Sequence, residues 1–210
     1  MKSGEINSLF NSLSKAIKNP KSDLKYRNKF TLLVSVVLSA QCTDVNVNNV
    51  TKNIYPKYNK PEHFVKLGQK KIEKLIKSIG LFRNKAKSIY LLSKQLIEKH
   101  NGKVPKNFED LYALHGVGRK TASVVLNEGF GLPTIAVDTH VFRVSNRTGL
   151  APGKNPDEVQ KKLYEVVPKK YLKKAGHIIL LHGRYTCKAR VPSCKTCVII
   201  KYCRYKQKEI

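Results

Sequence analysis

Apolar side chains recur every three or four residues along most of the chain, the spacing of amphipathic helices. The first such helix carries Ile6, Leu9, Phe10, Leu13 and Ile17. A second helix is predicted to begin near Ser22 or Asp23, which favour a helix N-cap, and to carry a dense apolar stretch to Ala40. This density predicts burial on most sides. A third helix follows, capped by Thr43 or Asp44.

Proline, glycine and acidic residues delimit the later helices. Short helices are predicted over about 61–66 and 69–79, with Gly80 in the position that follows a helix end. A longer helix covers about 84–100. The run Asn155-Pro156-Asp157-Glu158 marks the start of a helix that ends at Pro168, and a last helix covers about 170–184. With ten or so helices and no convincing strand, the predicted fold class is all-α.

A glycine turn at residues 115–118 separates two predicted helices. Asn107 caps the first helix, and the second begins within a residue or two of Gly118. Gly116 and Gly118 allow a positive φ and the close approach of another backbone. The N–H groups at the start of the second helix form an anion site that a nucleic-acid phosphate fits. A plain helical hairpin explains the G-V-G sequence alone about equally well.

The charge of the chain is strongly unbalanced. Its 210 residues suit one or two small domains and include 41 Lys and Arg against 14 Asp and Glu, a formal net charge of +27. Such a field favours polyanions, although lysines spread along the whole chain also fit a general bias in composition. No signal peptide is evident, and the apolar stretch at 30–40 is too short to span a bilayer. We therefore expect a cytoplasmic protein without a membrane partner, associated in a bacterium with the nucleoid.

Four cysteines lie close together near the end of the chain, with the spacing C-x6-C-x2-C-x5-C: Cys187, Cys194, Cys197 and Cys203. Disulfides are disfavoured without an export signal. Four thiolates suit either zinc or an iron–sulfur cluster, and ligand chemistry alone does not separate the two. Cys42 stands apart and is expected to be a small buried residue. Basic side chains crowd the same region, where they either contact phosphates or form a solvated tail: Arg184, Lys188, Arg190, Lys195 and Lys201.

Three strings together resemble the endonuclease III family: L-S-A-Q-x-T-D at 38–44, L-x-G-V-G-R-K-T-A at 114–122 and P-T-I-A-V-D-T-H-V-F-R-V-x-N-R at 133–147. The similarity runs over nearly the full chain, although His115 stands where the family usually has proline. The resemblance implies a helical barrel at 22–132, with a helix-hairpin-helix at about 108–128, and an iron–sulfur domain of 1–21 and 133–210. It also implies a DNA-binding cleft between the two domains and a structural 4Fe–4S cluster in the loop at 187–203.

The resemblance further implies base excision repair by a bifunctional enzyme that removes oxidised pyrimidines from double-stranded DNA and cuts the abasic site. Lys120 would be the nucleophile, because a helix start, partial burial and the neighbouring Arg119 all disfavour a charged amine. A lysine that only contacts phosphate is the alternative. Asp138 would orient or deprotonate the amine and stabilise positive charge on the sugar. An N-cap aspartate is its alternative, and the two roles are compatible.

An enzyme that acts on a base within a duplex must flip that base out and fill the gap. Gln41 and Leu81 match the family positions that insert into the duplex, and Asp44 matches a position near the pocket. Gly116, Gly118 and Arg119 would contact the DNA backbone. His140 would do so too, unless it is an ordinary partly buried histidine, and Thr139 is a weaker candidate.

Two rival functions remain at this stage. An adenine-mismatch glycosylase of the same superfamily would share the hairpin, the aspartate and the cluster. Such proteins typically lack the lysine found at Lys120 and carry an extra C-terminal domain, whereas this chain stops seven residues after Cys203. A non-catalytic DNA-binding module would need neither Lys120 nor Asp138. No symmetric surface is evident, so a monomer is the default expectation.

Overall fold

The computed structural model describes residues 1–208, and all regular structure in that range is helical. The helices are α1 (Ser3–Ala16), α2 (Lys29–Leu38), α3 (Asp44–Ile54), α4 (Pro61–Leu67), α5 (Gln69–Leu75), α6 (Phe82–His100), α7 (Phe108–Tyr112), α8 (Arg119–Phe130), α9 (Thr139–Thr148), α10 (Pro156–Val166) and α11 (Leu172–Tyr185). Short 3₁₀ helices cover Lys169–Tyr171 and Ile200–Tyr202. The all-α prediction is confirmed. None of the described helices is long and apolar enough to cross a membrane.

The chain forms two compact units. The middle unit is Asp23–Gly131, and the terminal unit is Met1–Ser22 with the chain from Leu132 onwards. The predicted boundaries at 21/22 and 132/133 lie within a residue of these limits. That each unit is an independent domain stays a prediction.

The middle unit is built around α2, whose residues from Phe30 to Leu38 are all buried. A helix this apolar on every side needs neighbours all round. Helices α8, α6 and α3 pack against α2, and α4 and α5 pack on α6. Buried Ile72, Ile89 and Leu92 extend this core.

The terminal unit has its own core of buried apolar side chains. Helix α11 packs on α9 and α1, and α10 packs on α9. The amphipathic pattern predicted for α1 is confirmed, because Ile6, Leu9 and Phe10 are all buried. They share the core with Val141 of α9 and Ile178 of α11. The first helix of the sequence therefore belongs to the same unit as its C-terminal half.

Several predicted helix starts are confirmed by side-chain caps. Asn107 accepts a hydrogen bond from the backbone of Asp110, Thr43 accepts one from Asn46, and Asn155 accepts one from Glu158. Each cap satisfies an N–H group that has no partner within its helix.

Two local predictions are wrong. Helix α2 begins at Lys29 rather than near Ser22 or Asp23, because Asn28 and Thr31 form a capping box with N–H to oxygen distances of 2.9 Å in both directions. Gly80 does not follow a helix end directly, since α5 already ends at Leu75. The left-handed backbone falls on the next residue, Leu81, with φ +57°.

Candidate functional site

The helix-hairpin-helix predicted at about 108–128 consists of α7, a turn at 113–118 and α8. Backbone N–H groups of Leu114 and Val117 donate to the carbonyls of Leu111 and Leu114 within the turn. Leu111, Leu114 and Val117 are all buried. Buried apolar side chains and backbone hydrogen bonds therefore hold the turn in one conformation.

The turn is also held by α6. The His115 N–H donates to Oε1 of Gln95 at 2.7 Å, and a Cβ on Gly116 would collide with the Ser88 side chain. Gly116 has φ +76°, so both its backbone and its space require glycine. His115 thus makes a hydrogen bond that proline, which has no backbone N–H, could not make.

Gly118 serves a different purpose. It is the N-cap of α8 and has a φ of −86°. A Cβ added at Gly118 would have no atom within 4 Å. No side chain caps α8, and its first turn has no acidic residue. Gly116 therefore uses the positive φ that glycine allows, whereas Gly118 does not. The N-terminus of α8, which has no side-chain cap, suits an anion.

Lys120 and Arg119 occupy the first turn of α8, and both are exposed. The partial burial expected of Lys120 is therefore wrong. The Arg119 guanidinium lies 5.5 Å from the ring centroid of Tyr112 and 5.8 Å from that of Phe108. These rings hold Arg119 by cation–π contacts at the side of the hairpin.

Gln41 and Leu81 sit at the tips of two loops in the middle unit. Both are exposed and both have a left-handed backbone, with φ +52° and +57°. Asp44 is the first residue of α3, directly after the capping Thr43. Cys42, expected to be buried, is only partly so, and its Sγ accepts a hydrogen bond from Asn46.

Asp138 lies in the terminal unit, as the N-cap of α9. Its Oδ1 accepts a 2.8 Å hydrogen bond from the backbone of Val141, so the carboxylate has a fixed orientation. His140 is half-buried, with Nδ1 3.2 Å from the Arg143 guanidinium. Thr139 is exposed at the first position of α9. The hairpin residues belong to the middle unit and Asp138 to the terminal unit, so the pairing of Lys120 with Asp138 stays a prediction.

The four predicted ligands Cys187, Cys194, Cys197 and Cys203 line one cavity of the terminal unit, together with Pro192, Ile199 and other residues. Within residues 1–208, no group of three or more His, Cys, Asp or Glu residues is arranged to hold a single metal ion. Burial is the largest cause that raises the pKa of the Cys197 and Cys203 thiols. Burial also lowers the pKa of His182 to about 4, so this lining side chain is neutral at pH 7.

Two arginines that the sequence analysis passed over hold the cysteine loop. Arg143 donates to the carbonyls of Cys187 and Gly183, and Arg147 donates to those of Lys188 and Ala189 at 2.6 Å. They lie four residues apart on α9, and this i, i+4 spacing could have revealed them as a pair. The basic side chains at 184, 188, 190, 195 and 201 are all exposed.

The helix-hairpin-helix has a counterpart in known proteins. The family model for the "HhH-GPD superfamily base excision DNA repair protein" matches residues 34–169. Endonuclease III of Rickettsia conorii is 52% identical over 200 residues, which cover 95% of each chain. The chain belongs to the endonuclease III family.

Other endonuclease III proteins agree. The Escherichia coli K12 enzyme is 50% identical over 190 residues, or 90% of each chain. A solved structure of a trapped endonuclease III–DNA covalent intermediate superposes with a TM-score of 0.91 and 43% identity, covering 97% of this chain and 96% of the other. The chain is accordingly a DNA glycosylase and abasic-site lyase of base excision repair.

Proposed function

We propose that this protein releases oxidised pyrimidines from double-stranded DNA and cuts the abasic site through a Schiff base on Lys120. The observation that carries the proposal is the position of Lys120, exposed in the first turn of α8 directly after the glycine turn. A phosphate bound at the N-terminus of α8 would bring the sugar backbone to the amine. The related structure of a trapped covalent endonuclease III–DNA intermediate supports covalent chemistry.

The reaction balances without an external oxidant or reductant. The lone pair of the neutral Lys120 amine attacks C1′, and the C1′–N bond breaks, so that its electron pair leaves with the base, which takes up a proton. The C1′–O4′ bond then breaks, O4′ keeps the electron pair and takes up a proton released by the amine, and Nζ and C1′ are left joined in a Schiff base. Loss of a C2′ proton then expels the 3′ phosphate by β-elimination, and water hydrolyses the Schiff base and restores the amine.

The attacking amine must be unprotonated, because only a free lone pair can bond to C1′. Bound DNA would remove water from the exposed Lys120. Asp138 would accept the amine proton or stabilise positive charge on the sugar, and its fixed orientation as an N-cap supports that role. This step requires that Lys120 and Asp138 both reach the same nucleotide.

The remaining site residues would bind and deform the duplex. The backbone at Gly116 and Gly118 and the Arg119 side chain would contact phosphates, and His140 would contact the backbone from the terminal unit. Gln41 and Leu81 would enter the space that the flipped base leaves, with Asp44 near the pocket. Their exposure at loop tips supports this assignment.

Cys187, Cys194, Cys197 and Cys203 would hold a 4Fe–4S cluster. They line one cavity, and membership of the endonuclease III family favours a cluster of several irons over one zinc ion. When bound, the cluster would supply structural cross-linking of the loop that carries the exposed basic side chains. We propose a monomer that acts at the bacterial nucleoid.

Borohydride trapping on a duplex with one oxidised pyrimidine tests the proposal. Wild type and the control Lys94→Gln, which removes an exposed charge from α6, should both form a covalent adduct, and Lys120→Gln should form none while it still binds DNA. Base release without an adduct in wild type would instead indicate a glycosylase that uses water, as in the adenine-mismatch class. Neither adduct nor base release would indicate another lesion class or a binding module.

A further inference from the structure

The loops that carry Gln41 and Leu81 share an unusual backbone. Both residues have a side chain and yet adopt φ values of +52° and +57°, in the left-handed region that favours glycine. A non-glycine residue stays in that region only when its surroundings hold it there. Because the Leu81 side chain is 57% exposed, the restraint must come from the backbone and its neighbours rather than from burial of the tip.

Lys85 is bonded to the flanks of both loops. Its backbone N–H donates to the Leu81 carbonyl at 3.1 Å, and its Nζ donates to the Leu38 carbonyl at 2.9 Å. Leu38 is the last residue of α2, three positions before Gln41. Lys85 is only 5% exposed, so its ammonium is largely desolvated at this contact. It also lies at the C-terminal, negative end of the α2 dipole.

Asn46 forms a second bridge between the same loops. Its side-chain amide donates to Sγ of Cys42 and to the carbonyl of Ser78, each at 3.3 Å. Cys42 follows Gln41 directly, and Ser78 lies three residues before Leu81. The Asn46 backbone is itself fixed by the Thr43 cap, with a 3.3 Å hydrogen bond to Oγ1.

We propose that Lys85 and Asn46 are positioning residues that hold the Gln41 and Leu81 loops together as one two-pronged wedge. The inference rests on the proposed insertion of Gln41 and Leu81 into the duplex. A wedge must keep its shape while it forces open a base stack, because a loop that yields loses the contacts that offset the cost of unstacking. Two separate side chains that bridge the loops provide this rigidity before DNA binds.

A purely structural role of Lys85, as a cation at the end of α2, would affect every substrate alike. A positioning role affects only substrates whose base stack must be opened. The test therefore compares an oxidised pyrimidine opposite a purine with the same lesion opposite an abasic site, where no partner base must be held apart. Single-turnover base release is measured on both, together with the melting temperature of each variant.

The variants are Lys85→Met, which keeps the aliphatic stem, and Asn46→Ala, which keeps a good helix former in α3. Each should slow release from the paired substrate about tenfold, the order expected from losing one hydrogen bond, and change release from the unpaired substrate little. Lys94→Met, which removes an exposed lysine from the same helix, should change neither. If Lys85→Met fails to fold, Asn46→Ala, at a half-buried position, still decides.

Gln41→Ala and Leu81→Ala separate this inference from the function on which it rests. If they slow only the paired substrate while Lys85→Met and Asn46→Ala slow both substrates equally or neither, the positioning role is wrong and the wedge stands. If Gln41→Ala and Leu81→Ala show no preference between substrates, the wedge assignment itself fails and the inference fails with it.

Discussion

The backbone N–H of His115 donates a 2.7 Å hydrogen bond to the side-chain carbonyl of Gln95, twenty residues earlier in the chain. Proline, usual at this position in the family, has no N–H to donate and restrains the turn through its fixed φ instead. This chain therefore restrains the hairpin turn from outside, through α6. The Ser88 side chain, which crowds Gly116 from the same helix, adds to that support.

Replacing Gln95 with leucine should weaken DNA binding. The variant removes the acceptor of the His115 N–H and leaves the turn free to move, so a phosphate would bind to a less ordered site. We expect a roughly two- to tenfold higher dissociation constant for duplex DNA, the range expected for a hydrogen bond between neutral groups. Fluorescence anisotropy at one fixed salt concentration measures it.

A double-mutant cycle gives the control for this prediction. In a His115→Pro background the N–H is already absent, so Gln95→Leu should have little further effect. A similar loss of affinity in both backgrounds would show that Gln95 acts elsewhere than through His115.

Asp138→Asn should lower base release strongly while DNA binding and stability change little. Asparagine is as good an N-cap as aspartate, so the bond to the Val141 N–H is kept and only the charge is lost. Loss of one electrostatic group in a catalytic site typically lowers the rate by about 10²–10³. Single-turnover kinetics and thermal melting measure the two effects. Asp157→Asn, in the first turn of α10, controls for the loss of a negative charge.

A different result would favour the capping role alone. Asp138→Asn protein with a normal rate per folded molecule and a lower melting temperature would assign the residue to helix stability.

Cys194→Ser should abolish the cluster. Cys194 is buried in the cavity that all four cysteines line, and a serine hydroxyl is a poor replacement for a thiolate on iron. Wild type should be brown with about four irons per chain, and the variant should lose the colour, the iron and much of its DNA affinity. Cys42→Ser, outside the four, should keep the colour and the iron. Colourless wild type with one zinc per chain would overturn the cluster assignment.

Sequence patterns predict the start of a helix correctly where the side chain and the N–H group that it caps are close together in the chain. The caps at Asn107, Thr43 and Asn155 each involve a partner three residues away, so their roles follow from short stretches of sequence. The predicted start of α2 is wrong because two possible cap sites lie near each other in the sequence. Ser22 and Asp23 are acceptable caps, but Asn28 with Thr31 forms a reciprocal pair closer to the apolar stretch.

The sequence was insufficient where the partner lies far along the chain. The Lys85 side chain meets a carbonyl 47 residues away. Read in sequence, it is one lysine among many in a strongly basic chain, and nothing in its neighbours indicates burial. The expected burial of Lys120 failed for the same reason, since exposure at a helix start depends on what other segments cover. The motif predicts a role for Lys120, but only the fold gives its surroundings.

Tyr55→Phe should destabilise the middle unit in a pH-dependent way. The Tyr55 hydroxyl is buried, lies 2.6 Å from Oγ of Ser35 and donates to the Thr31 carbonyl at 3.0 Å. Removing the Tyr55 hydroxyl takes one hydrogen-bond partner from the Ser35 hydroxyl and one from the Thr31 carbonyl, both in α2. We expect a cost of about 1–3 kcal/mol at pH 7, or a melting temperature lower by about 2–4 °C for each kcal/mol. Tyr26→Phe, at a side chain 40% exposed, should change much less.

Alkaline pH gives the sharper test. Burial, the larger cause, raises the pKa of Tyr55 above its ordinary value, because the folded state disfavours the phenolate. The stability gained from keeping this group neutral is fully present below the pKa of the unfolded chain, about 10, and is lost as the pH rises from there towards the raised pKa of the folded state. Tyr55→Phe should therefore lose less stability than wild type between about pH 9 and 11, a range that spans the tyrosine pKa of the unfolded chain. Parallel curves for the two proteins would mean that the hydroxyl ionises without cost in the folded state.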